Sequence, residues 1–276
     1  MEAVARDTLT LGPDASAYMD LGWAQSSTGE PWQALDSYEQ ALDLYREAGN
    51  RGNEAAALNN IGLVHNHLGH RQKALFYYRQ ALTITQEVDD RADEATTLHN
   101  IGGVHDNLGD RQQALTFYRQ ALIITQEVDD RAGEAATLNN IGGVYDNLGD
   151  QQQALAHYRK ALPIRREVGD RDGEAATLNN IGAVHNKLGD QQRALAYYRQ
   201  ALTISREIGA RTGEAVTRHN IASIHRTNGD LDQAIAELEL VVNLDRQVDH
   251  PDLESDTAEL EEVRRERARR DLTSGL

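Results

Sequence analysis

The chain has 276 residues, no cysteine, and 44 acidic against 28 basic side chains, for a formal net charge of −16 at pH 7. That balance repels phosphate backbones and anionic membrane surfaces, so direct nucleic-acid or membrane binding is not expected. Without cysteine there are no disulfides, thiolate metal sites or thiol nucleophiles. No apolar run approaches the roughly 20 residues of a membrane span, and residues 1–13 lack the basic start and apolar stretch of a signal peptide, which makes the cytoplasm the expected compartment.

From the amino terminus, residues 1–13 fit no pattern and read as a tail. A motif then recurs at a step of forty residues without insertion. Gly22, Gly62, Gly102, Gly142 and Gly182 form one column, closed by Ala222, and Ala34, Ala74, Ala114, Ala154, Ala194 and Ala234 form another. Such a period marks stacked units that bury their apolar faces only against neighbours. Six units are predicted, at about 14–50, 51–90, 91–130, 131–170, 171–210 and 211–250. Within the fourth, Leu138, Ile141, Val144 and Leu148, then Ala154, Leu155, Tyr158, Ala161 and Leu162, fall at helical spacing, so each unit is a helix pair. The hinge is Leu-Gly-Asp. Gly149 is expected to end the first helix in the left-handed conformation, and Asp150 to cap the second, with Gln153 completing a capping box. Asp110 with Gln113 and Asp230 with Gln233 repeat the device, whereas Asp190 is followed by Arg193 and keeps only the cap.

The ends differ from the interior. The first unit carries Met19, Asp20 and Trp23 where later units have small residues and asparagines, and reads as an amino-terminal cap. Pro163, inside a second helix, is expected to kink or shorten it. Beyond Pro251, residues 251–276 form a carboxy-terminal capping helix, acidic first and then basic, with Leu253, Leu260 and Val263 as its narrow apolar stripe and Arg264, Arg265, Arg267, Arg269 and Arg270 solvated.

The columns Leu58, Ile61, Gly62, His65, Gly69, Ala74, Tyr78 and Ala81, repeated through about 14–247, resemble the tetratricopeptide repeat. The step of forty rather than 34 residues, and the missing proline near the end of the second helix, resemble the longer variant of kinesin light chains, LGN-type polarity adaptors and bacterial NB-ARC- and SARP-type regulators. The resemblance implies an all-α, right-handed solenoid of six helix pairs plus the capping helix. It also implies that the first helices line a concave wall. Its columns would be Asn60, Asn100, Asn140, Asn180 and Asn220, with Asn59, His99, Asn139, Asn179 and His219 beside them. A turn further on lies a floor of small residues at Gly103, Gly143 and Ala183, and beyond it Asn107, Asn147, Lys187 and Arg226.

A primary amide both donates and accepts, so an asparagine ladder can hold the backbone of an extended peptide without reading its side chains. The expected function is therefore a non-catalytic scaffold binding an extended segment of a partner protein. The alternatives are a sensor for a short signalling peptide and a structural unit that self-associates end to end. The reading that competes at the ladder is that its amides bond between helices. No nucleophile with a base, carboxylate dyad, phosphate loop or zinc spacing is evident, so no enzyme activity, cofactor or metal is expected. His65, His105, His185 and His225 share a column with Tyr145, which favours ring packing over ligation, while His99 and His219 lie nearer the groove and offer a pH-sensitive contact. Arg51, Arg91, Arg131, Arg171 and Arg211 each precede a glutamate by three residues, a spacing for local ion pairs, with capture of a ligand carboxylate as the alternative.

Overall fold

The computed structural model describes residues 14–248 and 250–274, so the expected tail at 1–13 lies outside the described residues. The described residues form thirteen helices: α1 (Ala15–Ser27), α2 (Pro31–Glu47), α3 (Arg51–His67), α4 (Arg71–Glu87), α5 (Arg91–Asn107), α6 (Arg111–Glu127), α7 (Arg131–Asn147), α8 (Gln151–Glu167), α9 (Arg171–Lys187), α10 (Gln191–Ile208), α11 (Arg211–Thr227), α12 (Leu231–Val248) and α13 (Leu253–Ser274). The backbone divides into two compact units that meet between Thr137 and Leu138, inside α7. Each unit is an all-α stack in which helices adjacent in sequence pack together, and successive first helices also touch, α3 with α5 in one unit and α9 with α11 in the other.

The glycine column exists because an aromatic ring occupies the space of its missing side chain. A methyl built on Gly62 would stand 2.6 Å from Tyr78 Cε1, and one on Gly142 would stand 2.7 Å from the same atom of Tyr158. Tyr78 is fully buried, so its ring fits directly over the backbone of the first helix, where any side chain would displace it. In the sixth repeat Ala222 faces Leu238, a smaller partner that leaves room for the methyl.

Both hinges need a left-handed residue. Gly149 has φ +81°, and its amide donates to Asp146 O at 3.1 Å while the Asp150 amide donates to Tyr145 O at 2.9 Å. This closes α7 in a Schellman motif. Asp150 then caps α8 by accepting from Gln153 N at 3.1 Å. The capping box does not form as expected, because the amide that Gln153 would reach is already taken by the preceding helix. At Asp110 even the cap is missing, and its carboxylate lies 3.4 Å from His105 Nδ1 instead. Asp190 caps Arg193 N at 3.1 Å. The other hinge uses Gly49, Gly169 and Gly209, but Asp89 and Asp129 hold φ +58° and +57° in the second and third repeats.

Two further expectations are corrected. Pro163 does not shorten α8, which has the same 17 residues as α4 and α6. The ring sits on the exposed face, where the unpaired Arg159 carbonyl can turn to water, and buried Ala161 and Ile164 hold the helix down. The arginines of α13 are not simply solvated. Arg264 bonds Glu239 at 2.7 Å, Arg267 lies 2.7 Å from Asp232, and Arg270 donates to Gly229 O at 2.5 Å. With Leu260 and Val263 buried against Ala222, Leu231 and Leu238, α13 stands where the first helix of a further repeat would.

Candidate ligand-binding face

The first helices bring the asparagine columns together, and the amides bond to one another across repeats. Asn100 Nδ2 donates to Asn59 Oδ1 at 3.1 Å, Asn180 Nδ2 to Asn139 Oδ1 at 3.3 Å, and Asn220 Nδ2 to Asn179 Oδ1 at 3.1 Å. Two carboxamides carry four N–H groups and four lone pairs between them, so each such bond uses one of each and leaves the remainder. All these side chains, with Asn60 and Asn140, are half-buried. Adjoining contacts tie the same column down: His99 Nδ1 lies 2.9 Å from Thr137 Oγ1, and Thr177 donates to Asn139 Oδ1 at 3.2 Å. The pairing thus fixes the amides in orientation while keeping them partly open.

Between successive first helices the same hollow recurs. One of about 140 Å³ is walled by Ala55, Ala56, Asn59 and Asn60; one of about 520 Å³ by Ala175, Ala176, Asn179 and Asn180. The second is larger where Gly213 stands in place of Asp93. A turn away, Gly103 lies 3.5 Å, measured from an added methyl, from the Tyr118 hydroxyl, so the floor there is a phenol end rather than empty space. Asn107 and Asn147 are exposed at the helix ends. Lys187 and Arg226 are engaged within the chain: Lys187 Nζ bonds Asp146 at 2.8 Å, and Arg226 reaches Glu262 at 2.6 Å and Glu266 at 3.1 Å on α13.

The arginine and glutamate columns pair locally and then go further. Arg51 Nη1 bonds Glu54 at 2.6 Å while Nη2 bonds Glu87 at 2.5 Å, and Arg171 likewise holds Glu174 and Glu207, each at 2.6 Å. Arg91 repeats this with Glu94 and Glu127. The glutamates of the first helix are buried, and their other oxygen accepts from Arg46, Gln86, Gln126 or Arg166 of the preceding helix. Both ends of these guanidinium forks are therefore occupied by their own chain. Glu214 departs from the pattern and is held by Arg206 and Arg218.

The histidine column packs as rings. His65 stacks on Tyr77, His105 on Phe117 and His185 on Tyr197, with centroids 5.3–5.5 Å apart. In the fourth repeat the pair is exchanged, Tyr145 on His157 at 5.5 Å. Burial lowers the pKa of His65 and His185 from the ordinary value, so both pack as neutral rings at neutral pH. The exchange was visible in sequence, since Tyr and His trade places at 145 and 157. What could not be seen was that positions 65 and 77 meet.

A family model described as tetratricopeptide repeat matches residues 34–87, 53–127, 93–167, 133–207 and 173–247, and a second of the same description matches 15–47. The chain is a tetratricopeptide-repeat protein. No curated protein matches the sequence. Among solved structures, this tetratricopeptide-repeat chain is similar in fold to BtubC (BKLC) from P. vanneervenii, with 24% identity, TM-score 0.63, and 70% of this chain and 80% of that one covered. It is also similar to a Rap protein complexed with Competence and Sporulation Factor, at 16% identity, TM-score 0.68, and 92% and 76% coverage. A third is the STAND protein PH0952 from Pyrococcus horikoshii with a tetratricopeptide repeat sensor, at 14% identity, TM-score 0.74, and 90% and 38% coverage. The helix pairs at a forty-residue step are those of a tetratricopeptide-repeat array. No helix among the described residues is long and apolar enough to cross a membrane.

Proposed function

We propose that the face carried by the first helices binds an extended segment of a partner protein in the cytoplasm, with the paired asparagines as its backbone contacts. The observation that carries this is the recurring hollow walled by two alanines and two asparagines, at Ala55, Ala56, Asn59 and Asn60 and again 120 residues on. A ligand backbone needs donors and acceptors at a regular step and no bulk between them, and amides already oriented by their neighbours add little ordering cost on binding. Successive first helices at about 10 Å correspond to some three residues of extended chain each. The similarity to a Rap protein solved with Competence and Sporulation Factor supports the use of such a stack for a ligand. Stacking end to end is disfavoured at the carboxy-terminal end, where α13 covers the last apolar surface and turns Glu254, Glu261 and Arg265 outward.

The test is selection of binders from a displayed library of random 15-residue peptides on the full chain, followed by titration against Asn139→Ala/Asn179→Ala/Asn180→Ala. Three lost amide bonds at a net of about 1 kcal/mol each predict roughly 100-fold weaker binding. Circular dichroism confirms that the variant keeps its helices. Binders indifferent to the triple variant, but lost on Trp32→Ala/Phe76→Ala, would move the interface to the second-helix side, where both rings are exposed.

A further inference from the structure

At the last step of the stack the hollow changes its chemistry. Its position between α11 and α13 matches that of the asparagine-walled hollows, with Ala215, Val216, His219 and Asn220 as the corresponding wall and a volume of about 340 Å³. Where the neighbouring column carries Asn139 and Asn179, the next two steps carry His219 and Glu259, and His219 Nε2 lies 2.7 Å from Glu259 Oε2. Asp256, one turn earlier on α13, completes a group whose three ligand atoms all lie within 4.8 Å of one another. None of the three is an exposed surface residue; all are half-buried.

A second observation points into the same hollow from the opposite wall. Asp245 of α12 stands in the column of Thr85, Thr125 and Ser205 and is 98% buried, with a relative exposure of 2%. Thr85 and Thr125 satisfy their hydroxyls on carbonyls three residues back in their own helices, but a carboxylate has no proton to give. Asp245 Oδ2 is buried without a hydrogen-bond partner. The group that faces it is the Asp256 carboxyl, and both line the hollow. Two facing carboxylates need a proton or a cation between them.

We propose that His219, Asp256 and Glu259, backed by Asp245, form a binding site for a divalent transition-metal ion, Zn²⁺ by preference, that ties α11 to the capping helix. The donor set decides the class of ion. One imidazole nitrogen with two or three carboxylate oxygens suits zinc or manganese, whereas calcium takes six to eight oxygens and gains little from the ring. The 2.7 Å between His219 Nε2 and Glu259 Oε2 is a hydrogen-bond distance, and it need open by only about 0.7 Å to reach the roughly 3.4 Å between tetrahedral ligands with bonds of about 2.1 Å. The other oxygen of Glu259 lies 3.7 Å from Arg226 Nη1, so the guanidinium borders the cluster on its outer side. This site does not depend on the peptide reading, which concerns the asparagine hollows of the earlier repeats.

The test is isothermal titration of the chelator-treated full chain with ZnCl₂, alongside thermal unfolding with and without the ion. One ion per chain is expected, with a raised Tm and at least tenfold weaker binding in both His219→Ala and Asp256→Asn. The isosteric Asp256→Asn keeps the packing of α13, which circular dichroism checks, and its Tm should no longer respond to zinc. His65→Ala, which alters the other close histidine pair, His65 with His70, should leave the affinity unchanged. Failure of the wild type to bind at micromolar zinc overturns the site, as does binding retained in the His219→Ala/Asp256→Asn double variant. Equal affinity for Ca²⁺ and Zn²⁺ would overturn the assignment to a transition metal.

Discussion

Adjacent glycines in α5 should respond to the same substitution with opposite sign. A methyl added at Gly102 would stand 2.8 Å from Tyr118 Cδ1 and 2.9 Å from Cε1, whereas one at Gly103 would meet only the Tyr118 hydroxyl at 3.5 Å, an ordinary contact. In a helix interior alanine is favoured over glycine by about 0.5–1 kcal/mol through the unfolded chain's entropy. At Gly103 nothing opposes that gain, so Gly103→Ala should stabilise by about that amount. At Gly102 the ring must move, and Tyr118 of α6 is 2% exposed with its ring against the α5 backbone. Overpacking of a rigid group costs about 1–3 kcal/mol, which outweighs the helix term and leaves a net loss of about 1–2 kcal/mol. The sixth repeat supplies the remedy, because Ala222 is accommodated there by Leu238. Gly102→Ala/Tyr118→Leu should therefore be more stable than the sum of its single variants by at least 1 kcal/mol. The assay is urea unfolding followed by helical circular dichroism, where 1.5 kcal/mol at a slope of about 3 kcal/mol/M moves the midpoint by about 0.5 M. The reasoning fails if both alanine variants shift the same way, or if the double variant is additive within about 0.5 kcal/mol.

The other predictions come from single unmet requirements. Tyr78 has a buried hydroxyl with no hydrogen-bond partner, so Tyr78→Phe should raise the urea midpoint by about 1 kcal/mol of stability, and a loss would mean that the hydroxyl is satisfied. Asp89 holds φ +58° where sister repeats use Gly49 and Gly169; Asp89→Gly should gain about 0.5–1 kcal/mol in the same assay. Burial, then the neighbouring Asp256 carboxyl, raises the pKa of Asp245 from 3.8 to about 6, with Asp252 adding to the rise and His250 opposing it. The folded chain therefore holds this proton more tightly than the unfolded one, so in chelator its stability should fall as pH rises from about 4 to 6, by on the order of 2–3 kcal/mol. Asp245→Asn should flatten that slope, and an unchanged slope would refute the assignment.

The helix pairs were legible because they depend on local spacing: apolar residues at steps of three and four, and a glycine at the turn inside each pair. The contact of Gly142 with Tyr158 lies within one hairpin, so it follows from the hairpin's own register, although the glycine column alone did not name the ring that fills it. The asparagine columns were legible as columns, but not their bonding, since the bond from Asn100 to Asn59 spans 41 residues and depends on which way each amide points. The second arm of Arg51, reaching Glu87, was hidden for the same reason: three-residue spacing accounts for Glu54 and leaves the other half of the fork unassigned. Asp245 gave no signal, because an acidic residue near the end of an acidic chain is ordinary until its surroundings are known to be dry.

The fastenings between successive first helices have nearly the same reach: 38 residues from His99 to Thr137 and 41 from Asn59 to Asn100. A deletion or duplication of one forty-residue block would therefore present each broken half-bond with a partner of the same kind from the next copy. Unequal exchange between such similar gene segments could lengthen or shorten the interior while preserving its joints. The two ends lack that freedom, because Arg226 and His219 are matched to α13 alone and Trp32 and Met19 belong to the first repeat. Growth by whole blocks is confined to the middle.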